Sequence, residues 1–285
     1  YYKNILNIDE PMVKKIIVWG SERDLFTGTL GIKAKITNWL TNTITLNSFR
    51  MTPEDIEQYI NTINTSKPDL IRGYAGSLHE ICRYAERNNL SIYSPNVVVS
   101  AAETLTVEMR DQIERVFGRK LYNFYGSREV SNLSGECEDG LMHSFAFWNY
   151  QELLDKHNRP VKQGEEGKVV VTNLFNYSMP LIRYEIGDMA VLGPEHCSCG
   201  NILPTFEKIT GRITDHFILK NGATVPAEFF IHLLGVVCNA GEIKQFQVVQ
   251  EDFDKIRILV VVGVGFTKEY RKDVESKIKV AIGSD

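Results

Sequence analysis

The sequence predicts an α/β fold: a mostly parallel sheet with helices, carrying a small antiparallel β subdomain and followed by a smaller α+β domain. Three observations predict it. Up to residue 129, short apolar runs alternate with small-residue loops and segments of helical periodicity, the pattern of a parallel sheet wound with helices. From 131 to 204 no helical pattern stands out, and short β-rich runs are separated by Gly, Asp, Asn and Pro. Beyond 211 a Pro-started helix, two alternating strands and an amphipathic helix follow. The expected domains are 1–211, divided into an α/β part (1–130) and a β subdomain (131–210), and 212–285, with the boundary near 211–215.

Taken in order, KKIIVW (14–19) is a short strand that runs into a Gly20-Ser21-Glu22-Arg23 loop at the sheet's C-terminal edge. Residues 43–46 are β-rich. Thr52-Pro53-Glu54-Asp55 opens a helix with a hydroxyl cap, Pro at its first position and acids in its first turn. Residues 69–72 form a strand that continues into a Gly73-Tyr74-Ala75-Gly76-Ser77 loop, with a helix over about 78–88. A buried strand (97–100) is followed by a tight polar turn (101–104) and a helix capped by Thr106, whose apolar face is Val107, Ile113, Val116 and Phe117. A second strand (121–125) then runs into a Gly-Ser-Arg-Glu loop at 126–129. Two strands joined by a crossover helix lie parallel, so the 101–104 and 126–129 segments share the edge where open α/β sheets bind ligands. In the β part, runs at 145–150, 168–173 and 189–192 are strands, and 155–160 and 164–167 are hairpin turns. A strand-turn (217–222), a helix from Pro226, strands over 243–250 and 256–262, and a helix from Thr267 complete the chain. Gly263-Val264-Gly265 lacks the third glycine of a dinucleotide fingerprint and reads as a turn.

At 285 residues the chain is long enough for a sizeable core, and its net charge of −4 argues against non-specific nucleic-acid binding. No apolar run reaches the roughly 18 residues that a membrane span needs, and the polar start YYKNILNIDE is not a signal peptide. Five unevenly spaced cysteines do not form a secreted disulfide framework. The expected location is the cytoplasm.

There is no GxxxxGK[ST] loop, no nucleophile elbow and no HExxH. Two stretches carry other chemistry. In Arg183-Tyr184-Glu185-Ile186-Gly187-Asp188 a carboxylate follows a tight glycine turn, where it can accept hydrogen bonds from a ribose diol. Gly211-Arg212-Ile213-Thr214-Asp215 offers a guanidinium for phosphate. In this order SAAET (100–104), YGSRE (125–129), RYEIGD (183–188) and GRITD…LKNG (211–222) resemble the core motifs of adenylate-forming enzymes. The branch they resemble is that of phenylacetate–CoA ligase, coenzyme F390 synthetase and the capsular-polysaccharide protein CapK, and the signature covers residues 74–228.

The resemblance implies roles. Ala102 and Glu103 border an adenine, and Tyr125, beside Gly126, stacks on it; Ser127 faces the α-phosphate, and Glu129 holds Mg²⁺. Asp188 binds the ribose, Arg212 reaches ribose or phosphates, and Asp215 is the hinge of a mobile C-terminal domain. Tyr74, Ala75, Gly76 and Arg128 border the acyl pocket, where Arg72 can read a polar acid. Lys220 faces the acceptor channel. The ligands implied are ATP or AMP, Mg²⁺, a small carboxylic acid, and coenzyme A or an amine or sugar acceptor; a homodimer is left open. Ser127 stands where Thr is commoner, and Arg128 where many relatives carry a neutral residue. The family's phosphate loop has only a poor imitation at Gly28-Thr29-Leu30-Gly31, and its C-terminal catalytic lysine has no counterpart. With the non-Met start, these departures make the chain an expected fragment of a longer enzyme, incomplete as a catalyst. Three functions remain open: an acid–CoA ligase; an enzyme moving an acyl or adenylyl group to a sugar or cofactor; and a non-catalytic nucleotide- or zinc-binding module.

Cysteine spacing makes a separate case. Cys137 and His143 lie close together in a polar β region, and Cys197-Ser198-Cys199-Gly200 is a tight knuckle. Three thiolates and one imidazole make a closed tetrahedral Zn²⁺ site of the structural kind, with His196 competing with His143 as the fourth ligand. The alternative is free thiols in a reducing compartment. Cys82 and Cys238 read as core residues.

Overall fold

Short strands alternating with helices set up the first half of the molecule. The computed structural model describes residues 1–10, 12–20, 32–48, 51–212, 216–220, 224–237 and 241–282. The parallel strands are β1 (Lys15–Val18), β2 (Thr43–Leu46), β3 (Leu70–Tyr74), β4 (Val97–Ala101) and β5 (Leu121–Ser127), and the helices are α1 (Ile32–Leu40), α2 (Pro53–Ser66), α3 (Ala75–Arg87) and α4 (Val107–Phe117). Every pairing among these strands is parallel. Alternation along them decides which face packs where. Ile16, Val18, Ile71, Val98 and Leu121 face the helices, against Ile60, Ile63, Leu78, Ile81, Ile113 and Phe117. Leu70, Val97, Val99, Ala101 and Phe124 face the other way and are covered by N-terminal residues including Tyr1, Tyr2 and Ile8.

Local caps hold the helices in place. Thr52 and Asp55 form a reciprocal capping box on α2, with Pro53 at its first turn. The Thr106 hydroxyl accepts from the Met109 N–H, and Gly118, at φ 63°, ends α4 in the left-handed conformation. One part of the expected apolar face does not hold. Ile113 and Phe117 are buried, but Val107 is 76 % exposed.

The antiparallel strands do not form a separate sheet. β6 (Ser131–Glu136), β7 (Met142–Ser144), β8 (Asn149–Leu154), β9 (Glu166–Asn173), β10 (Tyr184–Leu192) and β11 (Thr205–Arg212) continue the parallel half into one eleven-stranded sheet. Its order is β2-β1-β3-β4-β5-β6-β7-β11-β10-β9-β8. The antiparallel end curls on itself. The Asn149 side-chain amide donates to Val130 O at 2.9 Å and Asn132 O at 2.8 Å, and that of Gln151 to Leu133 O at 2.8 Å. Side chains of the last strand thereby close a barrel around Leu133, Met142, Val169, Val171, Ile186, Ala190 and Phe206.

Three element expectations need correction. The 73–77 segment is not a loop, because α3 starts at Ala75 directly from β3. The strand expected at 145–150 begins only at Asn149, after a turn closed by Trp148 N–H and Asn149 N–H donating to Phe145 O. Gly126 and Ser127 belong to β5, paired with Asn132 and Ser131, so only the hairpin tip lies between them and β6.

Contacts divide the chain into two units, Tyr1–Arg212 and Ile213–Asp285. In the second, β12 (His216–Ile218) pairs with β13 (Thr224–Pro226), and β14 (Ile243–Asp252) with β15 (Lys255–Val262). Helix α5 (Ala227–His232), prolonged by a π turn over Leu233–Val237, and α6 (Lys268–Ile282) contribute Phe230, Leu234, Val274 and Ile278 to its core. Among the described residues no helix is long and apolar enough to cross a membrane.

Candidate nucleotide crevice and metal centre

Parallel register aligns the strand ends. Tyr74 pairs with Ala101 and Ala101 with Phe124, so the residues that follow them emerge side by side at one edge. Ala102 takes φ 67°, a left-handed conformation that costs a residue with a Cβ about 1–2 kcal/mol. Beside it, Glu103 Oε2 accepts the Gly76 N–H at 2.6 Å. Helix α3 has no side-chain cap of its own at Tyr74, so the carboxylate of the neighbouring turn satisfies one of its orphan donors. The 101–104 turn and the start of α3 are thereby joined.

Tyr125 extends from β5 over the barrel core and donates its phenolic proton to Asp188 Oδ2 at 2.6 Å. Asp188 is 7 % exposed. It follows Gly187, whose φ of 84° lies in the irregularity between Glu185 and Met189 of β10. That kink, rather than a free turn, sets the carboxylate's position. Across the ladder Asp188 pairs with Arg212 and Met189 with Gly211. A Cβ built on Gly211 would sit 3.6 Å from Thr104 Oγ1, which brings the end of β11 against the 101–104 turn. Three of the sequence motifs and the first residues of the fourth therefore meet at one edge.

Gly126 has a specific reason to be glycine: a Cβ there would meet Ser131 O at 2.6 Å, where β5 and β6 shift register. The Ser127 hydroxyl accepts the Val130 N–H at 3.3 Å and steadies the hairpin, whose tip residues Arg128 and Glu129 are exposed. Tyr74 stacks on Trp19 at 4.1 Å and donates to Gly20 O at 3.4 Å. Ala75 is fully buried and faces the core, so Tyr74 and Gly76 are the members of that stretch left at the crevice rim. The Arg72 guanidinium lies over the Phe124 ring at 4.7 Å and donates to the Tyr2 hydroxyl at 3.2 Å. Lys220 is an exposed side chain of the second unit, 3.8 Å from Asp254. The backbone of Arg212 is described but its side chain is not; Ser21–Arg23, Gly28–Gly31, the hinge candidate Asp215 and Cys238 lie outside the described residues.

A second cluster sits at one end of the barrel. Ligand atoms of Cys137, His143, Cys197 and Cys199 all lie within 4.8 Å of one another. Cys137 Sγ is 3.7 Å from Cys197 Sγ, well beyond a disulfide, and Cys199 Sγ is 3.2 Å from His143 Nε2. Four ligands around zinc at tetrahedral angles place sulfurs about 3.8 Å apart. His143 Nδ1 faces Leu203 O at 3.3 Å, so a proton on Nδ1 donates there and leaves the Nε2 lone pair for a cation. Burial holds the imidazole below its ordinary pKa, favouring the neutral, ligating form. Burial also pushes the Cys197 thiol up to about 12, a cost that a bound cation reverses. His196 is exposed and is not one of the four. His143, in β7, is buried and groups with the three thiols.

Comparison with known proteins agrees with this architecture. No family model matches the chain. It is 27 % identical over 230 residues to protein CapK of Staphylococcus aureus, an alignment covering 78 % of this chain and 48 % of that protein. It is 28 % identical over 265 residues to the phenylacetate-coenzyme A ligase of Thermus thermophilus, covering 88 % of this chain and 57 % of the ligase. The chain thus spans about half the length of the curated relatives it matches. Among solved structures, 2-hydroxyisobutyryl-CoA ligase in the postadenylation state, in complex with 2-HIB-AMP, superposes with a TM-score of 0.64 at 20 % identity, covering 98 % of this chain and 61 % of that one. The benzoate CoA ligase from Burkholderia xenovorans LB400 gives 0.52 at 17 % identity, covering 98 % and 57 %. The fold is that of adenylate-forming acyl-CoA ligases.

Proposed function

We propose that this chain forms the nucleotide-binding core of an enzyme that activates a carboxylic acid as its adenylate and passes the acyl group to coenzyme A. The observation that carries the reading is the convergence of the 101–104 turn, Tyr125, Asp188 and Gly211 at one sheet edge. In the first step a carboxylate oxygen attacks the α-phosphorus of ATP and the bond to pyrophosphate breaks. In the second, the coenzyme A sulfur attacks the acyl carbon and AMP leaves with the bonding pair. The first step needs alignment and charge neutralisation more than acid–base chemistry; in the second the thiol also gives up its proton to solvent.

The residues fit those tasks. The Tyr125 ring, fixed through its hydroxyl, offers a flat surface for adenine at the crevice rim, between Ala102 and Glu103 on one side and Gly126 on the other. Asp188, whose Oδ2 holds the Tyr125 hydroxyl, is assigned to the ribose hydroxyls as their acceptor. Ser127 faces the α-phosphate, and Arg212 is assigned to ribose or phosphate. Glu129, exposed at the hairpin tip, can hold a largely hydrated Mg²⁺, which neutralises phosphate charge. The acid is bordered by Tyr74, Gly76 and Arg128, with Ala75 packed behind them. Asp215 is proposed as the hinge about which the second unit turns, and Lys220 as a residue facing the acceptor. A zinc ion at Cys137, His143, Cys197 and Cys199 completes the proposed cofactors. The domains proposed are 1–211, with its β subdomain at 131–210, and 212–285. The CapK similarity favours a second reading, transfer of the activated group to a sugar or cofactor.

Calorimetry with AMP and ATP–pyrophosphate exchange across a panel of carboxylic acids test the proposal. Saturable AMP binding is expected of this chain, and exchange that depends on one added acid is expected where the protein tested also carries a phosphate loop and a C-terminal lysine. A chain that binds neither AMP nor ATP overturns it. Replacing coenzyme A by amines or amino sugars in turnover separates the two acceptors.

A further inference from the structure

The eleven-stranded sheet is joined by very unequal pairings. Strands β9 and β10, or β8 and β9, pair along most of their lengths. The seam between β7 and β11 has only two residue pairs, Thr205 with His143 and Phe206 with Met142. One further bond, from the Ser144 N–H to Pro204 O at 2.8 Å, extends it. Everything from β8 to β11, Asp188 included, is connected through the ladder to Tyr125 only across this seam. On the other side of the barrel β8 meets β6 through the amides of Asn149 and Gln151, not through a ladder.

The Cys₃His cluster straddles that seam. Cys137 directly follows β6, and His143 is itself a seam residue, its backbone opposite Thr205 and its ring directed at the thiols. Cys197 and Cys199 come from residues 193–204, which link β10 to β11 without regular structure of their own. The segment is otherwise pinned by few side chains: Ser198 Oγ donates to Asp139 Oδ2 at 2.8 Å, and Thr205 Oγ1 to Pro194 O at 2.5 Å. A single ion bound to all four ligands would cross-link the end of β6, β7 and the approach to β11 at the point where backbone pairing is thinnest.

We infer that zinc at this cluster is a clamp on the β7–β11 seam, and that through the seam it sets the distance between Tyr125 and Asp188. The metal centre is then a positioning element for the nucleotide crevice, not an independent structural knob. Its four protein ligands leave no open coordination position, so it takes no part in the chemistry. Because metal binding to a closed site is coupled to local folding, removing the ion loosens the seam, and the phenol–carboxylate contact loosens with it. The inference rests on the zinc and nucleotide assignments above, and the experiment separates it from both.

Protein purified without chelators is analysed for metal, then compared before chelation, after it and after zinc is restored. Two readouts are taken from the whole 285-residue chain: amide hydrogen exchange of residues 142–144 and 205–212, and AMP affinity by calorimetry. The expected result is about one zinc per chain. Chelation should speed exchange across the seam by at least about tenfold and weaken AMP binding by about tenfold, and zinc should reverse both. The Cys197→Ser variant should behave like the chelated protein, and Cys197→His, which keeps a ligand, should be rescued by zinc in both readouts. Absence of zinc overturns the inference. So does zinc whose removal leaves seam exchange unchanged, or whose removal opens the seam while AMP affinity stays the same. If the zinc-bound chain fails to bind AMP at all, the crevice's function as a link in the inference fails, while exchange at the seam still reports whether the metal clamps it. Should Cys197→Ser not fold, chelation of the native chain supplies the same comparison.

Discussion

The Tyr125 hydroxyl and the Asp188 carboxylate meet at 2.6 Å although 63 positions separate them in the chain. One ends the parallel half of the sheet and the other lies in a kinked strand of the barrel, so their contact closes the crevice from both sides. Asp188→Ala removes both the partner of Tyr125 and the proposed ribose acceptor. AMP binding should weaken by about 1–3 kcal/mol, the usual cost of losing hydrogen bonds to a charged group. Tyr125→Phe keeps the ring and should cost less. Equal affinities for AMP in all three proteins, measured by calorimetry, would sink the ribose assignment.

Gly126→Ala places a methyl group 2.6 Å from Ser131 O. The backbone has to shift, at a cost of about 1–3 kcal/mol for overpacking. Denaturant unfolding measures the loss. A variant as stable as the parent would show that the β5–β6 hairpin has room that the geometry denies.

Glu103 caps a helix that is not its own. Glu103→Ala should lose about 0.5–2 kcal/mol, the range for a lost N-cap, and Glu103→Gln, still an acceptor, should recover most of it. Thermal unfolding of the two variants distinguishes capping from bare charge. If Gln is as damaging as Ala, the Gly76 bond is not the source of the effect.

Stability at low pH should carry the signature of Glu86. Hydrogen bonds from Arg115 and then Gln112 hold its carboxyl at about 2, below the ordinary 4.5. A depressed carboxyl contributes stability above its unfolded pKa and loses it as pH falls through the folded value. The difference between the parent and Glu86→Gln should therefore be fully present above about pH 4.5 and fade toward about pH 2. The group is solvent-facing, so salt should shrink the difference. A difference that instead grows on acidification would contradict this.

The parallel half was legible in the sequence because its determinants are local: Thr52 and Thr106 cap helices within their own first turns. Where a distant partner decides the structure, sequence reading fell short. Gly76 looks like a loop residue until Glu103, 27 positions away, satisfies the helix start. Gly126 and Ser127 look like a free loop until Ser131 and Asn132 pair with them. Val107 matches the helical period yet is exposed. In the crevice, motif order announced Tyr125 and Asp188, but not that one would hold the other. In the cysteine–histidine cluster, residue type singles out the thiols, whereas which histidine lies beside them depends on the strand that carries it.

The amide bonds that close the barrel have a further consequence, for self-association. A long open sheet offers its unpaired edges as templates on which another chain can add a strand. In the unit Tyr1–Arg212 one outer strand, β8, has its free side occupied: Asn149 and Gln151 reach β6, and Leu153 O accepts the Val161 N–H. The opposite outer strand, β2, is only four residues long and alternates threonine with aliphatic side chains. Among the described residues the eleven-stranded sheet thus ends in one sealed margin and one very short one, and these two margins offer little backbone on which fibrillar growth could nucleate.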